Sequence, residues 1–346
     1  AGADYRPASF CGGIIRKTVL SAMGTFAWIP GLIGAAISVG LARSPLLGFL
    51  FLLPLGVVAY CFNPKTAWFA ALAAILGNLG LSLPDIGVGV FYLAVVVVIF
   101  TWITSPPAGV PAFFRMPTVY RLLTGSVLAA ATLVLVIYSM REDRGLFSAF
   151  REQAEAIASL YAASSGADVV QRSLTERYMT ADTILEILWS VALRGGMLAS
   201  CTLLFFVSHQ ISLVITWLIR RKRPEGSLSS FHVLPQCIWA LSFSLLVILT
   251  GAGLKLAPLE IAGWNILVLC AILYLVQGGG IAVFLLTQAS IPPGIRFVLN
   301  LVILVVILSP GINAILLGAL ILLGIAENWV PFRVPKTNGS PPTPGV

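Results

Sequence analysis

Charge is what this sequence has least of. Only 10% of its 346 residues are Asp, Glu, Lys or Arg, whereas 58% are hydrophobic and the mean hydropathy is +0.98. Water-soluble proteins carry roughly 25% charged residues, so a surface this poor in charge belongs in lipid and the composition requires an integral membrane protein. The length by itself would suggest about two soluble domains. Apolar runs long enough to cross a bilayer recur along almost the whole chain, however, which makes one polytopic bundle the simpler reading.

Histidine and clustered cysteine are also missing. His209 and His232 are the only two histidines and stand on opposite sides of the basic run IRRKR, so spaced metal ligands are absent. The five cysteines, Cys11, Cys61, Cys201, Cys237 and Cys270, form no CxxC and lie mostly in apolar runs, where a thiol behaves as a small hydrophobe. No disulfide, metal or cofactor is expected. Neither a Walker A sequence, nor HExxH, nor a nucleophile elbow is present. The carboxylates sit nearly all in one polar segment or at span ends, which leaves no buried-acid proton relay, and the chain reads as a non-enzyme. The net charge of +8 is not a nucleic-acid signal in such a protein; what matters is where the cations lie relative to the spans.

What the sequence has is a succession of apolar segments. Residues 18–42, 45–62, 66–82, 86–104 and 120–139 read as five spans with turns rich in Pro, Gly, Asn and Ser between them. A signal peptide is the alternative reading of the N-terminus, but the run is longer than an h-region of about 7–15 residues and further spans follow at once. Residues 140–184 then change character, with twelve charged residues between Met140 and Asp182. Leu146, Phe150, Ala154, Ile157 and Tyr161 fall at helical spacing there, and Ser164-Ser165-Gly166 forms a stop, so an amphipathic helical hairpin in water is expected. Apolar character resumes over 184–219, roughly 50 Å of helix, longer than the ~30 Å hydrocarbon core. Further spans are expected at 236–253, 258–288 and within 294–326, where Ser309-Pro310-Gly311 permits a turn. The tail 337–346 is Pro, Gly and Ser rich and is expected to be disordered.

Orientation follows from the short loops. Arg6, Arg16, Lys17, Lys65, Arg115, Arg121, Arg220, Arg221, Lys222, Arg223 and Arg296 fall on one side, and only Arg43 and Lys255 on the other. The first side, with the N-terminus, is expected to be cytoplasmic and the hairpin outside. The expected fold is an all-α polytopic transmembrane bundle of about nine or ten crossings. It divides into an N-terminal five-span region (1–139), an extracytoplasmic hairpin (140–184), a C-terminal transmembrane region (185–336) and the tail (337–346).

Three stretches carry candidate function. Arg194, in EILWSVALRGGM, lies about two turns inside a span, where a guanidinium costs a few kcal/mol unless it pairs or snorkels to the outer surface. Glu186 is eight residues earlier, too far for an i,i+4 partner. His209 lies deeper on the same helix, and a lone histidine there reads first as a hydrogen-bonded packing residue. In YLVQGGGIAVF, Gln277, Gly278, Gly279 and Gly280 lack nucleotide-loop spacing. The glycines suit close backbone packing and the glutamine a hydrogen bond across helices, with a cavity lining as the functional alternative. Small residues at Gly31/Ala35 and Ala36/Gly40 suggest a helix-contact face in the first span. In LGIAENWVPFR, Glu327, Trp329 and Arg333 follow an apolar run and are expected to anchor the chain at the membrane interface, with Pro331 as the helix stop.

YLVQGGGIAVF, the broken apolar run and LGIAENWVPFR together resemble the closing pattern of the YybS-like family of bacterial multi-spanning proteins. LPLGVVAYCFNPKTAWFAALAAILGN resembles that family's second and third spans, and FHVLPQCIWALSFS its Phe-x-x-x-Pro segment after a basic loop. The chain departs from the family in having Glu327 for the usual Asp and Asn328 before Trp329. The resemblance implies a bundle in the bacterial inner membrane without a defined biochemical activity. The family's N-terminal region is similar to the substrate-binding membrane subunits of energy-coupling vitamin transporters and to the rod-shape subunit MreD. Besides the lipid bilayer, the partners so implied are a small-molecule solute or a membrane protein, and the two functions are solute capture or scaffolding of an envelope complex.

Overall fold

The computed structural model of the chain describes residues 28–44, 47–82, 88–105, 116–139, 148, 151–152, 154–160, 180–220, 231–288 and 312–333. Among these residues every regular element is a helix. Most of the expected hairpin 140–184, the basic residues Arg221, Lys222 and Arg223, the turn at Ser309-Pro310-Gly311 and the tail 337–346 lie outside them. Three helical stretches are long and apolar enough to cross a membrane, Thr118–Tyr138, Ala181–Arg220 and Ala257–Leu286. Five further apolar helices are shorter.

The chain forms two compact units. The first comprises Ala1–Met116, Tyr120–Glu142 and Ser200–Arg223; the second holds Pro117–Val119, Asp143–Ala199 and Pro224–Val346.

In the first unit, α1 (Trp28–Ala42), α2 (Leu53–Cys61), α3 (Pro64–Leu81) and α4 (Val88–Thr104) pack on one another, followed by α5 (Thr118–Ser139). The usual amphipathic arrangement is inverted in α1. Gly31, Gly34, Ala35 and Ser38 are buried, while Ile29, Leu32, Ile33 and Ile37 face outward. Small side chains inside and large apolar ones outside are what a lipid solvent selects, because helices then gain by close van der Waals contact rather than by hiding oil from water. Gly31 and Ala35 therefore form a contact face as expected, with Gly31 against Thr66 and Phe69, whereas Ala36 is exposed and Gly40 has open space around it. Ser38 Oγ donates to the Phe51 carbonyl at 2.7 Å, which satisfies a hydroxyl that lipid could not. Helix α3 starts at Asn63, whose side chain accepts from the Thr66 amide at 2.9 Å, with Pro64 in the first turn where its missing N–H costs nothing.

In the second unit, α6 (Ala181–Val191) opens with Thr180 accepting from the Thr183 amide. It runs into a π-turn, Ala192–Gly196, and then into α7 (Met197–Arg220), whose residues from Ser200 onward belong to the first unit. Helices α8 (Cys237–Gly253) and α9 (Ala257–Gln288) form an antiparallel hairpin, and α10 (Ile312–Ala326) packs on α9. Gly251 lies against the backbone of Glu260, so the two arms of the hairpin close tightly at its tip. Gly278 lies against the Leu320 carbonyl and Gly324 against that of Tyr274, a reciprocal contact that a methyl group on either glycine would block.

Candidate functional site

The site is built where the long helical stretch Ala181–Arg220 breaks. The sequence expectation treats this stretch as one continuous helix, but Arg194 (φ −81°, ψ 32°) and Gly195 (φ 111°, ψ −9°) leave helical geometry. Only glycine adopts the second conformation without strain, and a side chain there would also meet Val268. π-Turns inside helices are uncommon and recur at functional sites. This one is held open from outside. Asn265, one and a half turns beyond Glu260 on α9, donates its side-chain amide to the Leu193 carbonyl at 2.7 Å and to Ile261 at 2.9 Å. The carbonyl released by the break is thereby paired, which an apolar environment demands.

The break presents Arg194. Its Nη1 donates to Ser190 Oγ at 2.7 Å, and its Nη2 lies 3.1 Å from Oε1 of Glu260. The partner is therefore on α9 and not at Glu186. Glu260 stands in the first turn of its helix, where the dipole favours a carboxylate. The pair is asymmetric: the Arg194 side chain is 42% exposed and that of Glu260 21%. The guanidinium is part-exposed, and its contacts with Ser190 and Glu260 engage two of its five donors.

The other candidates separate by role. His209 is buried in the first unit, where Nδ1 shares a 2.6 Å hydrogen bond with the Tyr60 hydroxyl and the two rings meet edge to face. The guanidinium of Arg121 is within electrostatic reach of both. One face of α7 thus packs by polar contacts, which continue in Ser212 Oγ donating to Leu53 at 3.0 Å and in Cys61 against Thr216.

Gln277 is a brace. Its carbonyl accepts from the Val233 amide at 2.5 Å and its amide donates to Gly324 at 2.9 Å, joining the approach to α8 with α9 and α10. Of the glycines after it, Gly278 makes the close contact to α10, Gly280 is buried, and Gly279 has nothing within 4 Å of where a Cβ would stand. The terminal motif divides in two. Trp329 is 70% exposed, whereas Glu327 and Arg333 are only 6% and 5% exposed and grip each other through two hydrogen bonds. Arg333 also donates to the Phe231 carbonyl at 2.8 Å, and His232 Nε2 is 3.9 Å from Glu327.

Sequence reasoning missed Glu260, Asn265 and Ser190. A partial signal for the first two existed: with alternating crossings, the expected spans at 184 and 258 start on the same side, which puts an acid and an amide in the same half of the expected bundle as Arg194. No protein family, curated protein or solved structure matches this chain. Function rests on the geometry.

Proposed function

We propose that this protein is a non-enzymatic solute-binding or transport subunit of a bacterial inner membrane, with the helix break at Arg194 as its site. The observation that carries the reading is the part-exposed Arg194–Glu260 pair mounted on an interrupted helix. Transport proteins place their substrate sites at such interruptions, because unwound backbone and paired charges give polar contacts that a regular apolar helix lacks. The shorter apolar helices are read as crossings as well, for a total of nine or ten, with the N-terminus cytoplasmic.

With Arg220 at the cytoplasmic face, the 24 residues of α7 rise about 36 Å. That exceeds the ~30 Å hydrocarbon core, so α7 by itself is long enough to span it. In the segment read as lying outside, Asp182 meets Arg151 at 3.4 Å. The YybS-like resemblance, with its solute-capturing relatives, agrees with this reading.

A second reading, as a scaffold in an envelope or cell-shape complex, draws on the outer segment. Leu160, Ile187, Leu188 and Val191 are exposed apolar residues. Purification in native lipid, followed by mass spectrometry of co-purifying small molecules and proteins, decides between the two. A solute retained in stoichiometric amount supports the subunit, and a stoichiometric protein without a solute supports the scaffold.

A further inference from the structure

We infer that the Arg194–Glu260 site takes a compact zwitterion, a molecule with a primary ammonium and an oxyanion a few bonds apart. The inference rests on the proposed solute site and adds the chemical class. Its basis is that the backbones carrying the two charges are held independently of each other. The backbone of Glu260 is wedged against Gly251, and that of Arg194 is set by Asn265 on the Leu193 carbonyl and by Gly195 against Val268. Two side chains so mounted stay on facing elements when a ligand replaces their direct contact.

An entering anion would satisfy Arg194 but leave Glu260 beside a like charge. A cation would satisfy Glu260 and leave Arg194 uncompensated. Only a ligand with both charges replaces each half of the pair with an equivalent partner, its oxyanion on the guanidinium fork and its ammonium on the carboxylate. The unequal exposure sets the order. The oxyanion meets the more exposed Arg194 first, and the ammonium then reaches the more sheltered Glu260. Ser190 Oγ, already 2.7 Å from Arg194 Nη1, supplies a hydroxyl beside the oxyanion.

This chemistry has two sources, free α-amino acids in water and the ethanolamine headgroup of a phospholipid. Thermal unfolding of the purified full chain in nanodiscs distinguishes them. In phosphatidylglycerol discs, free α-amino acids are titrated beside their N-acetyl and amide forms, which carry one charge each. In a parallel arm, phosphatidylethanolamine replaces part of the disc lipid. We expect a saturable rise in melting temperature from amino acids or from phosphatidylethanolamine, with little from the singly charged forms.

Glu260→Gln should weaken the response by about tenfold, equivalent to ~1.4 kcal/mol. The exchanged pair Arg194→Glu with Glu260→Arg should restore it, since both charges are again present; that variant also controls for folding. A response to amino acids assigns the site to soluble zwitterions, and a response to phosphatidylethanolamine alone assigns it to the headgroup. Equal responses to the singly charged forms, or none in either arm, would overturn the inference. If a singly charged solute is retained from native lipid, the proposed function stands and only the zwitterion inference falls.

Discussion

The carboxylate of Glu327 grips the guanidinium of Arg333 through two hydrogen bonds, of 2.7 and 2.5 Å, with both side chains almost fully buried. The same guanidinium donates to the Phe231 carbonyl at 2.8 Å, so the chain after α10 is tied back to the segment before α8. Removing one partner of a buried pair leaves the other uncompensated, at a cost of about 3–5 kcal/mol, whereas replacing both with apolar groups costs far less. Glu327→Ala should therefore lower the unfolding temperature in detergent sharply, and Glu327→Leu with Arg333→Met should recover most of the loss. Equal destabilisation by single and double variants would mean that the tie acts through packing instead.

The glycines after Gln277 are expected to behave unequally. Gly278→Ala places a methyl group against the Leu320 carbonyl and should destabilise by about 1–3 kcal/mol, as overpacking does. Gly279→Ala enters open space and should be neutral or stabilising by up to ~1 kcal/mol through helix propensity. Thermal unfolding of the two variants side by side checks this, and a matching loss in both would contradict the contact between α9 and α10.

Much of the fold was legible because lipid leaves a strong signature. The apolar runs expected at 66–82, 86–104, 120–139, 236–253 and 258–288 correspond to Pro64–Leu81, Val88–Thr104, Thr118–Ser139, Cys237–Gly253 and Ala257–Gln288. Length and hydropathy fix such helices without reference to tertiary contacts. The break at Gly195 was not legible, since Arg-Gly-Gly inside an apolar run permits a regular helix and the contacts of Asn265 and Val268 with the π-turn come from the distant helix α9. Arg194 stood out as a charge in an apolar span, but its partner Glu260 is 66 positions further on and reaches it only through the α8–α9 hairpin. Buried Glu327 and Arg333 were expected at an interface because a terminal cation just past a span reads as an anchor; the partner that draws them inward is the Phe231 carbonyl.

Arg194 itself is expected to be graded by chemistry. If it holds a ligand together with Glu260, Arg194→Lys should weaken solute retention and Arg194→Ala should weaken it further, because lysine keeps the charge but loses the planar fork. Binding of a native extract to the reconstituted variants provides the readout. Wild-type behaviour in both would reduce the residue to a snorkelling side chain.

The topology is open to labelling at Ser159, an exposed helical position in the segment proposed to lie outside. After replacement of the native cysteines, Ser159→Cys should react with an impermeant maleimide in intact spheroplasts. Reaction only after lysis would place the segment in the cytoplasm and reverse the orientation of every span.

The central claim, that a solute is held at the helix break, is tested most directly by comparing what wild-type protein and Arg194→Ala carry out of the membrane. Both are purified in native lipid and the released small molecules are quantified by mass spectrometry against protein. A solute present near one per chain in the wild type and reduced by about tenfold in the variant, with unfolding temperatures otherwise similar, is the predicted result. The same solute at the same ratio in both proteins, or none in either, would contradict it.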